Sequence, residues 1–198
     1  MRKLKYQICM VIVGLLFIVA APKAEAGLMG TTLDWQYYAY GGAYSYPGGT
    51  TNGSFTVTGG VGGSFIGVTG PYYFNIIAND TQIIFDYSTY SGSNMWSASG
   101  QSLNSGGLSI YNGILIQSAN LFTSASIDPS TNMAGFSASN ITWNAGNIAI
   151  DWMGLSFDSS TRVVLNVASS SAVPEPSTIL LLGSGFIGLA AMRRFRKG

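Results

Sequence analysis

"LSIYNGILIQ", residues 108–117, carries the most specific local signal in this 198-residue chain. Two runs that alternate apolar with small polar side chains flank Asn112-Gly113. Both residue types tolerate the positive φ that a two-residue type I′ turn requires, so the stretch reads as a β-hairpin turning there. Aromatic and β-branched residues recur outward in short runs, "SFTVT", "SFIGVT", "YYFNIIA", "TQIIFDY", "NITW", "NIAIDWMGLSF" and "TRVVLNV", and several of these alternate apolar with small polar side chains. Period-two alternation of β-branched and aromatic residues marks half-buried strands. Gly, Asn, Ser and Asp clusters separate the runs at spacings close to those of a sandwich. "NGSFTVTGG" and "GGSFIGVTG" look alike and are expected to be neighbouring strands. Sustained helical periodicity is missing between residues 27 and 172, where good helix formers are scarce. The expected fold class is all-β, an antiparallel β-sandwich or jelly-roll-like core spanning residues 27–168.

The two ends differ from that core. "MRKLKYQICMVIVGLLFIVAAPKAEAG" opens with Arg2, Lys3 and Lys5, continues through an apolar run at 8–21, and places Ala24 and Ala26 in an A-x-A pattern. That order reads as a secretory signal peptide over residues 1–26, cut between Ala26 and Gly27 by signal peptidase. At the other end, residues 169–173 read as a Ser-rich linker. After it come Pro174-Glu175-Pro176, an apolar run at 178–192 and a basic tail of Arg193, Arg194, Arg196 and Lys197. The run is shorter than the roughly 20 residues that span a bilayer comfortably. As a transmembrane helix it would keep its Lys and Arg on the cytoplasmic side, with the core outside.

Charge narrows the function classes. Lys and Arg number nine in the chain, but between residues 27 and 172 only Arg162 occurs, against Asp34, Asp80, Asp86, Asp128, Asp151 and Asp158. One arginine cannot neutralise a row of phosphates, which argues against nucleic acid as a partner. The single cysteine, Cys9, falls in the signal peptide, and the chain has no histidine. Ser-His-Asp or Cys-His catalysis and a His/Cys metal site are therefore excluded from the core. The glycines of "GGVGGSFIG" sit between strands with no following helix, so they read as turns rather than a phosphate loop.

Prolines 174 and 176 keep their segment out of helix and sheet, leaving an extended stretch that a processing enzyme can bind. The order Pro-Glu-Pro, apolar helix, Arg-rich tail closely resembles the PEP-CTERM sorting signal, here over residues 174–198. The resemblance covers about 25 residues, is strengthened by the N-terminal signal peptide, and shows no departure from the pattern. It implies an exported protein of a Gram-negative bacterium that makes extracellular polysaccharide. It also implies recognition by an exosortase, a transient stay in the inner membrane, and release or transfer to the cell surface.

Within the core, three chemistries compete. Asp86 in "IIFDY" and Asp151 in "IAIDW" lie in apolar strands beside aromatics, the setting of a paired-carboxylate glycan hydrolase or lyase. A solvent-facing aspartate on a half-buried strand is the plainer reading of each. Asp80, Asp128 and Asp158 fall in turns where carboxylates could converge on calcium, the one cofactor left open and the basis of a Ca-dependent carbohydrate-binding module. Turn aspartates more often cap their own backbone.

The third chemistry is aromatic. "DWQYYAYGGAYSYPGG" gathers Trp35, Tyr37, Tyr38, Tyr40, Tyr44 and Tyr46 with almost no charge. Such faces stack on sugar rings while their hydroxyls satisfy the polar rim. Trp35, Tyr37, Tyr38 and Tyr40 are the candidate glycan-binding residues, and Trp96, Trp143 and Trp152 could extend the surface. Core filling is the competing use of the same rings, and the weightier one. Asn52, Asn79 and Asn140 match the N-x-[ST] sequon, a match that in a bacterium is usually chance. The sequence thus points to a non-enzymatic surface or extracellular-matrix protein in contact with polysaccharide and biofilm. It predicts no catalytic residue and no metal ligand.

Overall fold

The computed structural model describes residues 27–67, 72–104, 106–170 and residue 185. Residues 27–171 cluster as one compact unit. The expected signal peptide, Pro174, Glu175, Pro176, the 178–192 helix (Gly185 apart) and the basic tail lie outside the described residues.

The fold is antiparallel β throughout the described sheets. One six-stranded sheet runs in the order β12 (Ile141–Asn144), β13 (Asn147–Asp151), β10 (Asn112–Gln117), β1 (Thr32–Ala39), β2 (Gly42–Ala43). Its sixth strand, β3 (Asn52–Thr56), also pairs with β1, at residues 32–36 rather than 38–39. A five-stranded sheet runs β11 (Phe122–Ile127), β15 (Arg162–Ser169), β6 (Gln82–Asp86), β5 (Tyr72–Ala78), β4 (Val61–Ile66). Two small ribbons join β14 (Ser156–Asp158) to β7 (Ser93–Met95) and β8 (Ser102–Leu103) to β9 (Ser109–Ile110). Gly185 apart, helix among the described residues is limited to a 3₁₀ turn at Ala138–Asn140.

Alternation builds the core. In β1, Leu33, Trp35 and Tyr37 point into one hydrophobic cluster; so do Ile114 and Ile116 of β10 and Ile148 and Ile150 of β13. The same cluster takes Phe74 and Ile76 of β5, Ile83 and Phe85 of β6, and Val163, Leu165 and Val167 of β15. Each such side chain contributes about 1.5–3 kcal/mol on burial, so one shared core ties the two sheets together. The opposite face of the first sheet is covered too, since Tyr38, Leu115 and Ala149 pack with Ile110. Covering on both faces explains why Ile114, Leu115 and Ile116 are consecutive apolar residues in β10.

The expected hairpin at Asn112-Gly113 does not form. Both residues lie inside β10, opposite Ala39 and Tyr38 of β1, and neither has positive φ. Gly113 is needed for closeness instead, because a Cβ there would come within 1.9 Å of the Ile150 carbonyl oxygen. The type I′ signature falls between β1 and β2, where Tyr40 and Gly41 have φ of 56° and 84°. The two look-alike segments are consecutive strands but join different sheets, β3 on β1 and β4 on β5. Ser169, expected in the linker, belongs to β15 and is buried; Ser170 N–H still bonds to the Leu121 carbonyl.

A candidate functional site: an uncharged aromatic cleft

The β1–β2 turn opens onto a cleft of about 500 Å³. Tyr40, Tyr44, Tyr46 and Tyr73 line it together with Asn94, Ser97 and Asn112, over a floor that includes Trp96 and Phe157. No charged side chain is among its lining residues. Tyr40 is 65% exposed and Tyr46 39%, both far more than the core rings. Tyr44 lies between them, with ring centroids 5.9 Å from Tyr40 and 5.8 Å from Tyr46. These spacings make a continuous aromatic rim. Below it, Tyr73 and Trp96 are 5.4 Å apart and Trp96 stacks on Phe157 at 4.7 Å.

A polar chain runs from the core to this rim. Buried Trp152 donates its indole N–H to the Tyr37 hydroxyl at 2.9 Å. Tyr37 donates in turn to Asn112 Oδ1 at 2.6 Å. Asn112 Nδ2 donates to the Ser97 carbonyl at 2.8 Å and to Ser97 Oγ at 3.2 Å. Ser97 Oγ lies 3.0 Å from the Tyr40 hydroxyl. A saturated chain of this kind fixes rotamers, so the rim is preorganised by the core. Tyr40 is held in left-handed backbone, which a bulky residue rarely adopts and which the surrounding structure must sustain.

Burial pushes the phenols of Tyr44 and Tyr73 up, and the neighbouring tyrosines add to the effect. Tyr37, fully enclosed, is pushed much further by burial. These cleft hydroxyls therefore stay neutral in ordinary conditions. Flat rings, neutral hydroxyls and carboxamides in an uncharged groove suit stacking and hydrogen bonding to an uncharged polyhydroxyl chain.

The structure redistributes the residues singled out from sequence. Trp35, Tyr37 and Tyr38 are buried, Tyr37 at the base of the cleft lining; Tyr40 remains exposed. Trp96 and Trp152 are buried, while Trp143 is exposed on β12 outside the cleft. Tyr73, Asn94, Ser97, Asn112 and Phe157 join the site without having been singled out. Tyr73 had a usable signal in the aromatic run that opens "YYFNIIA". Ser97 and Asn112 had none, because long-range contacts recruit them.

The aspartates are taken up by backbone N–H and hydroxyl groups. Asp86 on β6 accepts from Ser88 N–H and Oγ, both at 3.0 Å. Asp151, in the other sheet, accepts the N–H groups of Tyr111, Asn112 and Met153. Neither lines the cleft, and the two lie in different sheets. Asp128 accepts from Ser130, Asp158 from Ser160, and Asp80 from Met29 N–H. Hydrogen bonds from Ser130 and Ser160 hold the Asp128 and Asp158 carboxyls below the usual range. Among the described residues no group of three or more acidic, His or Cys side chains is placed to hold a metal. Asn79 and Asn140 spend their side chains on Thr81, Gln82, Ser137 and the Asp151 carbonyl.

Residues 172–197 match the family model of the PEP-CTERM protein-sorting motif. No curated protein and no solved structure matches the chain.

Proposed function

We propose that this exported, exosortase-processed chain, held transiently in the membrane through its C-terminal region, ends at the surface of a Gram-negative cell or in its extracellular matrix as a non-enzymatic, glycan-binding β-sandwich. The observation that carries the glycan reading is the uncharged cleft rimmed by Tyr40, Tyr44 and Tyr46. An anionic polymer would find no cation there, so the expected ligand is a neutral or weakly charged polysaccharide of the biofilm matrix. Non-enzymatic action fits aspartates whose carboxylates accept backbone N–H groups and do not line the cleft.

The test is affinity electrophoresis of the exported protein in gels containing polysaccharide purified from the producing bacterium. Hydroxyethyl cellulose and alginate serve as neutral and anionic probes. Retardation by the native polymer and by the neutral probe is expected, with about tenfold loss in Tyr46→Ala, equivalent to about 1.4 kcal/mol. Free migration through the native polymer overturns the reading.

A further inference from the structure

Asp80 holds the start of the domain unusually closely. Its carbonyl accepts Leu28 N–H at 2.8 Å and its Oδ1 accepts Met29 N–H at 3.2 Å. A Cβ on Gly27 would fall 1.7 Å from that same Oδ1, so a glycine lets the chain lie against the carboxylate where it stands. Gly27 is buried, and its carbonyl accepts Ser169 Oγ at 2.9 Å, which ties it to the end of β15. Arg162, the one Lys or Arg between residues 27 and 172, stands opposite Asp86 in the β15–β6 register. No side-chain cation of the domain is therefore committed to Asp80.

We infer that removal of the export signal completes the fold at this point: cleavage of the Ala26–Gly27 bond sets the new α-ammonium of Gly27 against the Asp80 carboxylate. This rests on the export reading and adds a partner for the cleavage product. The hydrolysis consumes one water, breaks the C–N bond between Ala26 and Gly27, and leaves a carboxylate on Ala26 and an ammonium on Gly27. An opposite charge beside it favours the protonated amine. The uncleaved chain has only an uncharged amide there, so the pairing exists in the mature protein alone. Through Ser169 it also fastens the strand that ends shortly before the sorting motif at residues 172–197.

The sequence supplies a clean probe. A chain cut after Ala26 and before the basic tail contains no lysine, so an amine-reactive reagent can label only the α-amine. The full-length gene is expressed with its own signal, and the exported protein is recovered as wild type and as Asp80→Asn. That substitution keeps a side-chain acceptor for Met29 N–H and removes only the charge. Intact mass gives the first residue, and a label on Lys197 of an uncut tail is distinguished by mass. At about pH 7.5, near the usual α-amine range of about 7.7–8.0, wild type is expected to acetylate several-fold more slowly than Asp80→Asn. Equal rates with the N-terminus at Gly27 overturn the inference and leave the export reading standing. An N-terminus elsewhere overturns both the inference and the cleavage position. Should Asp80→Asn not accumulate, the wild-type rate against a tripeptide beginning Gly-Leu-Met serves: a matching rate overturns the inference.

Discussion

The Tyr37 hydroxyl donates to Asn112 Oδ1 at 2.6 Å across 75 residues of chain, and through this bond the core and the cleft share one hydrogen-bond network. Tyr37→Phe leaves the buried Trp152 N–H and Asn112 Oδ1 without their partner. The expected cost is about 1–3 kcal/mol in urea unfolding, with a similar loss for Asn112→Ala. The double variant should lose clearly less than the sum, because the two residues belong to one network. Simple additivity would refute the coupling.

Tyr40 carries strain at the rim. Its φ of 56° disfavours any side chain with a Cβ, by about 1–2 kcal/mol. Tyr40→Gly should therefore be neutral or stabilising by up to about 1 kcal/mol, while retardation by the neutral glycan falls. Loss of both stability and binding would mean that the ring is structural.

Trp35 lies between two glycines. Cβ atoms on Gly53 and Gly63 would come within 2.8 and 2.7 Å of Trp35 Nε1. Gly53→Ala and Gly63→Ala should each destabilise by about 1–3 kcal/mol, since an indole packed in a core cannot retreat freely. Thermal unfolding reads this directly; unchanged midpoints would show that the ring has room.

The Tyr87 hydroxyl and the Trp96 indole N–H face one another in the core without forming a hydrogen bond of ordinary geometry. Tyr87→Phe removes a buried polar atom that gains little from its surroundings. Its stability should be equal to or greater than wild type, the opposite of Tyr37→Phe. A loss above about 1 kcal/mol would place a firm partner on that hydroxyl.

Stability should fall at both pH extremes. Asp128 and Asp158 have folded pKa values below their unfolded ones, chiefly through the Ser130 and Ser160 hydroxyls. Their contribution is present above the unfolded value of about 3.9 and is lost as pH drops through the folded ones. Tyr37 and Tyr87 are raised by burial. Their contribution is complete below about pH 10 and is lost as pH rises beyond it. Thermal midpoints should form a plateau between these limits. Asp128→Asn and Asp158→Asn should flatten the acid limb, and Tyr87→Phe the alkaline one.

The sequence by itself determined the β class, the C-terminal sorting motif and the exclusion of His or Cys chemistry from the core. "YYFNIIA" coincides with β5 because a short run of aromatic and β-branched residues favours a strand by itself. The PEP-CTERM motif at residues 172–197 is likewise carried by consecutive residues, so it is legible without the fold. Tertiary structure decided the rest. Asn112-Gly113 has the strongest local turn chemistry in the chain, yet Tyr37, Ser97 and the Ile150 carbonyl claim both residues for a central strand. The turn went instead to Tyr40-Gly41, where the contacts around the rim sustain a φ that local propensity disfavours. Which tyrosines face a ligand and which fill the core also depended on sheet pairing. Local preferences are worth about 1 kcal/mol or less per residue, and a shared core with a closed hydrogen-bond network outweighs them.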